Sequence, residues 1–146
     1  MRLKPEGGVT EISLSNAKEI IREYGLPSLV QLINKAEDTS GHVVHVTWGD
    51  PEADDAFEHE FDGFSWGYGG EGPAGLVKFL EMTGVVPERL VSSVVGILPA
   101  STKGLILALA RNRWAVEFAH DSVIEKNHPS IQRDNVEGPV KNLKLR

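Results

Sequence analysis

The chain has 146 residues, no cysteine and a formal net charge of −6 at pH 7. A chain of this length fits one domain, with a core large enough to fold without disulfides. The absence of cysteine excludes disulfides, thiolate zinc sites and cysteine nucleophiles, and the negative charge argues against general nucleic-acid binding, which needs a basic face.

We expect a cytoplasmic protein that does not associate with membranes. Residues 1–15 include basic side chains but no apolar run behind them, so they do not resemble a secretory signal. No stretch of the sequence approaches the roughly 20 apolar residues that a membrane-spanning helix needs.

Two helices are predicted near the N-terminus, joined by a Gly-Leu-Pro turn. We expect Ser15 to cap the first helix, which carries an apolar stripe, and Gly25 to end it. Pro27 occupies a favourable first position for the second helix, because the apolar residues of 28–38 recur at helical spacing. The two elements together form a predicted N-terminal helix pair.

Two antiparallel strands are predicted next, over residues 41–48 and 56–66. Both segments alternate apolar and polar side chains, and the acidic turn Gly-Asp-Pro-Glu-Ala-Asp-Asp between them closes a hairpin. The second strand separates an apolar face from an acidic face. Phe57, His59 and Phe61 lie on the first of these faces, and Glu58, Glu60 and Asp62 lie on the second.

Another helix is predicted after a glycine-rich segment, with Pro73 in its first turn and Gly84 as its C-terminal stop. The following segments leave alternatives open. Residues 87–93 suit a helical turn, whereas residues 91–98 suit a strand equally well. Residues 105–118 suit either two strands joined at Arg111-Asn112-Arg113 or a helix over residues 105–114.

These elements predict an α+β fold in a single globular domain over residues 1–125. The fold comprises the N-terminal helix pair, an antiparallel sheet and the helix that follows the glycine-rich turn. The hydrophobic pattern thins toward the C-terminus, so we expect residues 126–146 to form an extended segment.

The glycine-rich segment, Phe64 to Pro73, has the most unusual amino-acid composition of any stretch of the chain. Its glycines lose conformational entropy on ordering, so a specific backbone path is required there. It lies before a helix, where outward-pointing N–H groups can bind an anion or a carboxylate. A phosphate is not favoured, because the Glu71 carboxylate would repel it and because the segment lacks the Lys-Ser/Thr ending of a P-loop. The alternatives are a structural turn, a protein-contact loop and a small-molecule site. The site would comprise Trp66, Gly67, Tyr68, Gly69, Gly70, Glu71 and Gly72.

The same segment resembles a family signature, Trp-Gly-Tyr-Gly-Gly-x-Gly-Pro-x-x-Leu, of a small uncharacterised family found in bacteria and their phages. The resemblance covers residues 66–76 and implies a compact domain with a helix after the signature. It implies no activity. The matching residues are Trp66, Gly67, Tyr68, Gly69, Gly70, Gly72, Pro73 and Leu76.

No residues have the pattern of a catalytic or metal site, and we expect neither catalytic residues nor a cofactor. The acidic turn could offer oxygen ligands to calcium, but it lacks the central glycine and the closing glutamate of an EF-hand. His59 is expected to be half-buried and hydrogen-bonded, because Glu58 and Glu60 point to the opposite face. His120, Asp121 and Ser122 are adjacent and therefore cannot form a triad.

The distribution of charge points to a basic protein partner. Residues 36–77 contain no lysine or arginine and carry −10, whereas the rest of the chain carries +4. Such a segment can steer and hold a cationic partner, so we predict an immunity or inhibitor type of protein with an acidic face. The predicted partner-binding residues are Asp50, Glu52, Asp54, Asp55, Glu58, Glu60 and Asp62.

Two other functions stay open. In one, the glycine-rich turn holds a nucleotide-like or carboxylate ligand, on which Trp66 or Tyr68 stacks. In the other, the protein is an enzyme, which would require Glu71, His59 and one arginine to converge on a cleft.

Overall fold

The computed structural model describes residues 1–36, 39–50, 52–86, 88–96, 98 and 100, and the backbone of residues 104–110 and 113–117. In chain order the described elements are α1 (Thr10–Tyr24), β1 (Leu29–Asn34), a short 3-10 turn (Thr39–Gly41), β2 (His42–Trp48), β3 (Phe57–Phe61), α2 (Glu71–Thr83), α3 (Glu88–Gly96), β4 (Gly104–Ala110) and β5 (Arg113–Glu117).

The strands form one antiparallel sheet in the order β3-β2-β1-β4-β5, which makes β3 and β5 its edges. Paired residues of antiparallel strands share a face of the sheet. One row runs through Val30, Val46 and His59, and the neighbouring row on the other face runs through Leu29, Thr47 and Glu58.

The three helices contribute to one hydrophobic core together with the first of these faces. Val30, Val44 and Val46 of the sheet are fully buried in this core. Phe61 of β3 packs against Phe79 of α2, with ring centroids 5.1 Å apart. At full burial each such side chain contributes roughly 1.5–3 kcal/mol to folding. Helices α1, α2 and α3 contribute further residues to this core, namely Ala17, Ile20, Leu76, Leu80, Val91 and Val94.

The predicted α+β class with an antiparallel sheet is confirmed, as are the hairpin of β2 and β3 and the helix after the glycine-rich segment. The second strand of the hairpin is shorter than the predicted 56–66, because it ends at Phe61. Helix α2 ends at Thr83, and Gly84 follows in the left-handed conformation, with φ 66°. This conformation is the usual reason for glycine at a helix C-terminus.

The predicted N-terminal helix pair is wrong, because residues 29–34 form strand β1 instead of a second helix. This strand lies at the centre of the sheet, between β2 and β4, and Leu29 and Val30 are buried although they face opposite sides. A strand buried on both faces has no apolar–polar alternation, so its apolar run mimics helical spacing. Helix α1 also begins earlier than predicted, at Thr10, and Ser15 lies inside it.

The structure decides both segments that the sequence left open. Residues 88–96 are helical, and residues 104–110 and 113–117 are two paired antiparallel strands. None of the helices in the described ranges is long and apolar enough to cross a membrane. The predicted C-terminal segment, 126–146, lies outside the described residues.

Candidate functional site

Trp66 connects the glycine-rich turn to the sheet. Its side chain has no exposed surface, and its ring stacks on the imidazole of His42 with centroids 3.7 Å apart and planes 7° apart. A side chain buried in this way cannot stack on a ligand from solvent. Of the two aromatic residues predicted to face a ligand, only Tyr68 is accessible, with 48% of its surface exposed.

His42 joins the turn to two other parts of the fold. Its Nδ1 lies 2.6 Å from the Ser65 hydroxyl, and its Nε2 lies 2.5 Å from the carbonyl oxygen of Ala100. A carbonyl only accepts hydrogen bonds, so Nε2 carries the proton and, in the neutral ring, Nδ1 accepts from Ser65. With 3% of His42 and 5% of Ser65 exposed, this pair anchors the turn.

Two glycines of the turn are required by close approach. Gly67 has φ +88°, and a Cβ atom there would lie 2.4 Å from the backbone of Ala100. A Cβ atom on Gly72 would lie 2.7 Å from the Tyr68 hydroxyl and 2.9 Å from Cβ of Ser65. The glycines therefore allow the backbone to meet its neighbours and allow the Tyr68 side chain to lie back over the turn.

Tyr68 separates two cavities, and the first is largely apolar. This apolar cavity has a volume of about 570 Å³ and lies between the turn, α2 and α3. Its size is within the range of small-molecule pockets. Its described lining comprises Gly67, Tyr68, Gly69, Gly70, Pro73, Ala74, Val77, Ser92, Val95, Gly96 and Leu98.

The second cavity, which we call the polar cleft, has a volume of about 360 Å³. Asp62 and Glu71 bring two exposed carboxylates to it, and its described lining contains no lysine or arginine. His42 and Ser65 also border it. The complete described lining is Gly8, Thr10, Thr39, Ser40, His42, Asp62, Gly63, Phe64, Ser65, Tyr68, Glu71 and Gly72.

The predicted partner-binding carboxylates all lie on the β2–β3 hairpin and its end, at one edge of the sheet. We call this set the acidic edge. Every member is exposed, and in the described part of the chain only Glu60 forms a salt bridge with a lysine. The members are Asp50, Glu52, Asp54, Asp55, Glu58, Glu60 and Asp62.

Two basic side chains reach the acidic edge near β3. Nζ of Lys35 lies 3.1 Å from Glu60, and the imidazole of His45 lies 3.2 Å from Glu58 and 3.6 Å from Glu60. The hydrogen bond and the positive charge of Lys35 lower the pKa of Glu60, although desolvation opposes the shift. The described salt bridges of the acidic edge are therefore those of Glu58 and Glu60.

Among the described residues, no three side chains of the metal-ligating types form a group that could hold an ion. The enzyme hypothesis required His59 and Glu71 to share a cleft with an arginine. Glu71 borders the polar cleft, whereas His59 lies outside its described lining and is bonded to Glu6.

Glu6, a carboxylate that is only 7% exposed, carries no local signal in the sequence and was not predicted to have a role. Nε2 of His59 lies 2.7 Å from Oε2 of Glu6, and the Asn16 amide donates to the same oxygen at 3.0 Å. The Asp62 N–H donates to Oε1 at 3.0 Å. Ser13 donates to its Oε1. Burial raises the pKa of Glu6, but these hydrogen bonds outweigh burial and hold the pKa below its ordinary value. The prediction of a half-buried, hydrogen-bonded His59 is confirmed.

No family model, no curated protein and no solved structure matches this chain. The resemblance of residues 66–76 to a bacterial and phage signature therefore stays a prediction.

Proposed function

We propose that the protein is a cytoplasmic binding protein of the immunity or inhibitor type, whose acidic edge holds a basic partner protein. The exposure of all seven carboxylates along one edge of the sheet supports this proposal most directly. Among the described basic side chains, Lys35 forms a salt bridge with Glu60 and His45 lies near Glu58 and Glu60.

The expected interaction is electrostatic and depends on several weak contacts acting together. An exposed ion pair contributes roughly 0–1 kcal/mol, so no single carboxylate of the acidic edge would dominate the affinity. Screening acts over about 8–10 Å at physiological ionic strength, so partner binding should weaken steeply as salt is added. Charge complementarity of this kind chiefly raises the association rate and selects the partner.

Charge reversal within the acidic turn tests the proposal. The change D54K with D55K reverses two exposed charges for which no described salt bridge would be lost. The matched control, E23K with E81K, makes the same change in net charge in the last turns of α1 and α2, where lysine suits the helix dipole.

The readout is capture of partners from native-host lysate at low and high salt, with mass spectrometry. We expect a basic protein that is retained by the wild type and by the control at low salt. It should be lost from the D54K/D55K variant and at high salt. Equal retention by both double variants would contradict a role for the acidic edge.

The apolar cavity favours a second candidate function, the binding of a small molecule at the glycine-rich turn. A cavity of about 570 Å³ with Tyr68 at its border suits a ligand that presents a flat apolar surface. A Cβ atom on Gly69 would meet no neighbour within 4 Å, so G69V should place a side chain at the border of the cavity without disturbing the fold.

Native mass spectrometry of protein purified from the host tests this second function. A retained small molecule should be present in the wild type and in S93V, which places a valine at an exposed position of α3, and absent from G69V. The same ligand retained in all three proteins would exclude the apolar cavity as its site.

A further inference from the structure

We propose that the polar cleft receives one arginine side chain of the basic partner, as an anchor at the end of the acidic edge. This inference rests on the proposed function. Asp62 connects the two features, because it ends the row of carboxylates along the edge and also lines the cleft. An arginine seated there would fix the partner's position, whereas the remaining carboxylates attract it over a longer distance.

The charge of the cleft selects a cation. Asp62 and Glu71 both border it, and Glu71 occupies the first turn of α2, where it already meets the helix dipole and opposes a bound anion. Asp62 is held in place. Its Oδ1 accepts the N–H of Gly8 at 3.0 Å, and its own N–H donates to Glu6 at 3.0 Å.

A carboxylate accepts hydrogen bonds at both oxygens, so the bond from Gly8 leaves Asp62 acceptor capacity for a ligand. The planar guanidinium carries five N–H donors, which suits two carboxylates better than the three donors of an ammonium group do. Arginine is therefore the basic side chain that this lining fits best.

Tyr68 supplies a wall for a planar cation. A Cβ atom on Gly70 would lie 3.0 Å from the Tyr68 ring, and one on Gly72 would lie 2.7 Å from its hydroxyl, so the turn supports the side chain from below. About half of the residue is exposed, which leaves ring surface for contact with a guanidinium group. The floor is formed by Ser65 and by His42, whose ring nitrogens are already bonded.

Titration of the ¹⁵N-labelled protein with N-acetyl-arginine amide, followed by NMR, tests the proposal. We expect saturable shifts of the amide signals of residues 68–72 and of Thr39 and Ser40. The uncharged isostere N-acetyl-citrulline amide should not produce them. Equal shifts with both probes, or no saturable shift with the arginine probe, would overturn the inference.

Two variants localise the effect. E71Q removes one charge of the cleft and should weaken binding of the arginine probe about two- to fivefold, as loss of an exposed ion pair does. E81Q makes the same change at an exposed position near the other end of α2 and should leave the affinity unchanged. Equal affinity of E71Q and the wild type would overturn the placement of arginine in the cleft.

Free arginine distinguishes a partner's side chain from a metabolite. Its α-ammonium and α-carboxylate groups cancel in charge, and a site for a partner's side chain contacts only the guanidinium group, so free arginine should bind no more tightly than the capped residue. Tighter binding of free arginine would overturn the assignment to a partner. The D54K/D55K variant retains every residue of the cleft, so failure of the acidic edge and failure of the cleft give separate results.

Discussion

Glu6 is expected to contribute more to stability than any exposed carboxylate of this protein. Its two oxygens accept from Ser13, Asn16, His59 and the N–H of Asp62, which joins the N-terminal segment to α1 and to β3. The variant E6Q preserves the shape of the side chain but replaces one acceptor oxygen with a donor NH₂ group. Whichever way the amide turns, the NH₂ group then faces donors that the carboxylate satisfied.

The expected cost follows from these contacts. A hydrogen bond to a charged group contributes about 1.5–3 kcal/mol, and at least one such bond is lost while the others become neutral. His59 can change tautomer and accept from the new amide, which limits the loss. We therefore expect E6Q to lower the free energy of unfolding by about 2–4 kcal/mol at pH 7.

The pH dependence has a definite sign. The folded-state pKa of Glu6 lies below its ordinary value of 4.5, so the folded protein holds the ionised form more strongly than the unfolded chain does. The resulting stability is fully present above pH 4.5 and is lost as the pH falls through the folded pKa. The difference between the wild type and E6Q should therefore shrink in acid.

Urea denaturation at pH 7 and at several pH values below 4.5 measures both effects. E23Q, an exposed change in the last turn of α1, is the matched control and should stay within about 0.5 kcal/mol of the wild type. A loss below about 0.5 kcal/mol for E6Q at pH 7, or a loss that persists unchanged in acid, would refute this reasoning.

Three further predictions follow from other contacts. G67A should lower the free energy of unfolding by about 2–4 kcal/mol in urea denaturation, because Gly67 has a positive φ and the added Cβ atom would collide with the backbone of Ala100. G69A should be close to neutral, and similar losses in the two variants would contradict the packing argument. H42A should cost about 2–4 kcal/mol in the same assay, because it removes the ring stacked on Trp66 and its hydrogen bonds; a change below about 1 kcal/mol would contradict this. K35A should cost less than about 1 kcal/mol at low salt and nothing measurable at high salt, since its salt bridge is exposed; a salt-independent loss would contradict this.

The parts of the fold that the sequence predicts are those with one buried and one solvated face. Strand β3 places Phe61 in the core and Glu60 in solvent, and α2 ends at a glycine in the left-handed conformation. Both signals are local. Strand β1 carries no such signal, because its central position buries residues on both of its faces.

The candidate site could be predicted only in part, for a related physical reason. The glycines of residues 67–72 indicate an unusual backbone path, but the reason for Gly67 is contact with Ala100, far along the chain. The bonds of Glu6 to His59 and of His42 to Ala100 join residues 53 and 58 positions apart. No spacing within a single strand or helix encodes such contacts, so they become visible only in the fold.

The acidic edge is tested most directly by the rate at which a captured basic partner associates with the protein. Stopped-flow measurements over a range of ionic strengths should show a rate that falls steeply with added salt for the wild type and for E23K/E81K. The rate for D54K/D55K should be lower and should fall less steeply with salt, because the charge of the acidic edge is reduced. If the association rates of all three proteins show the same salt dependence, the carboxylates of the acidic edge do not guide the partner.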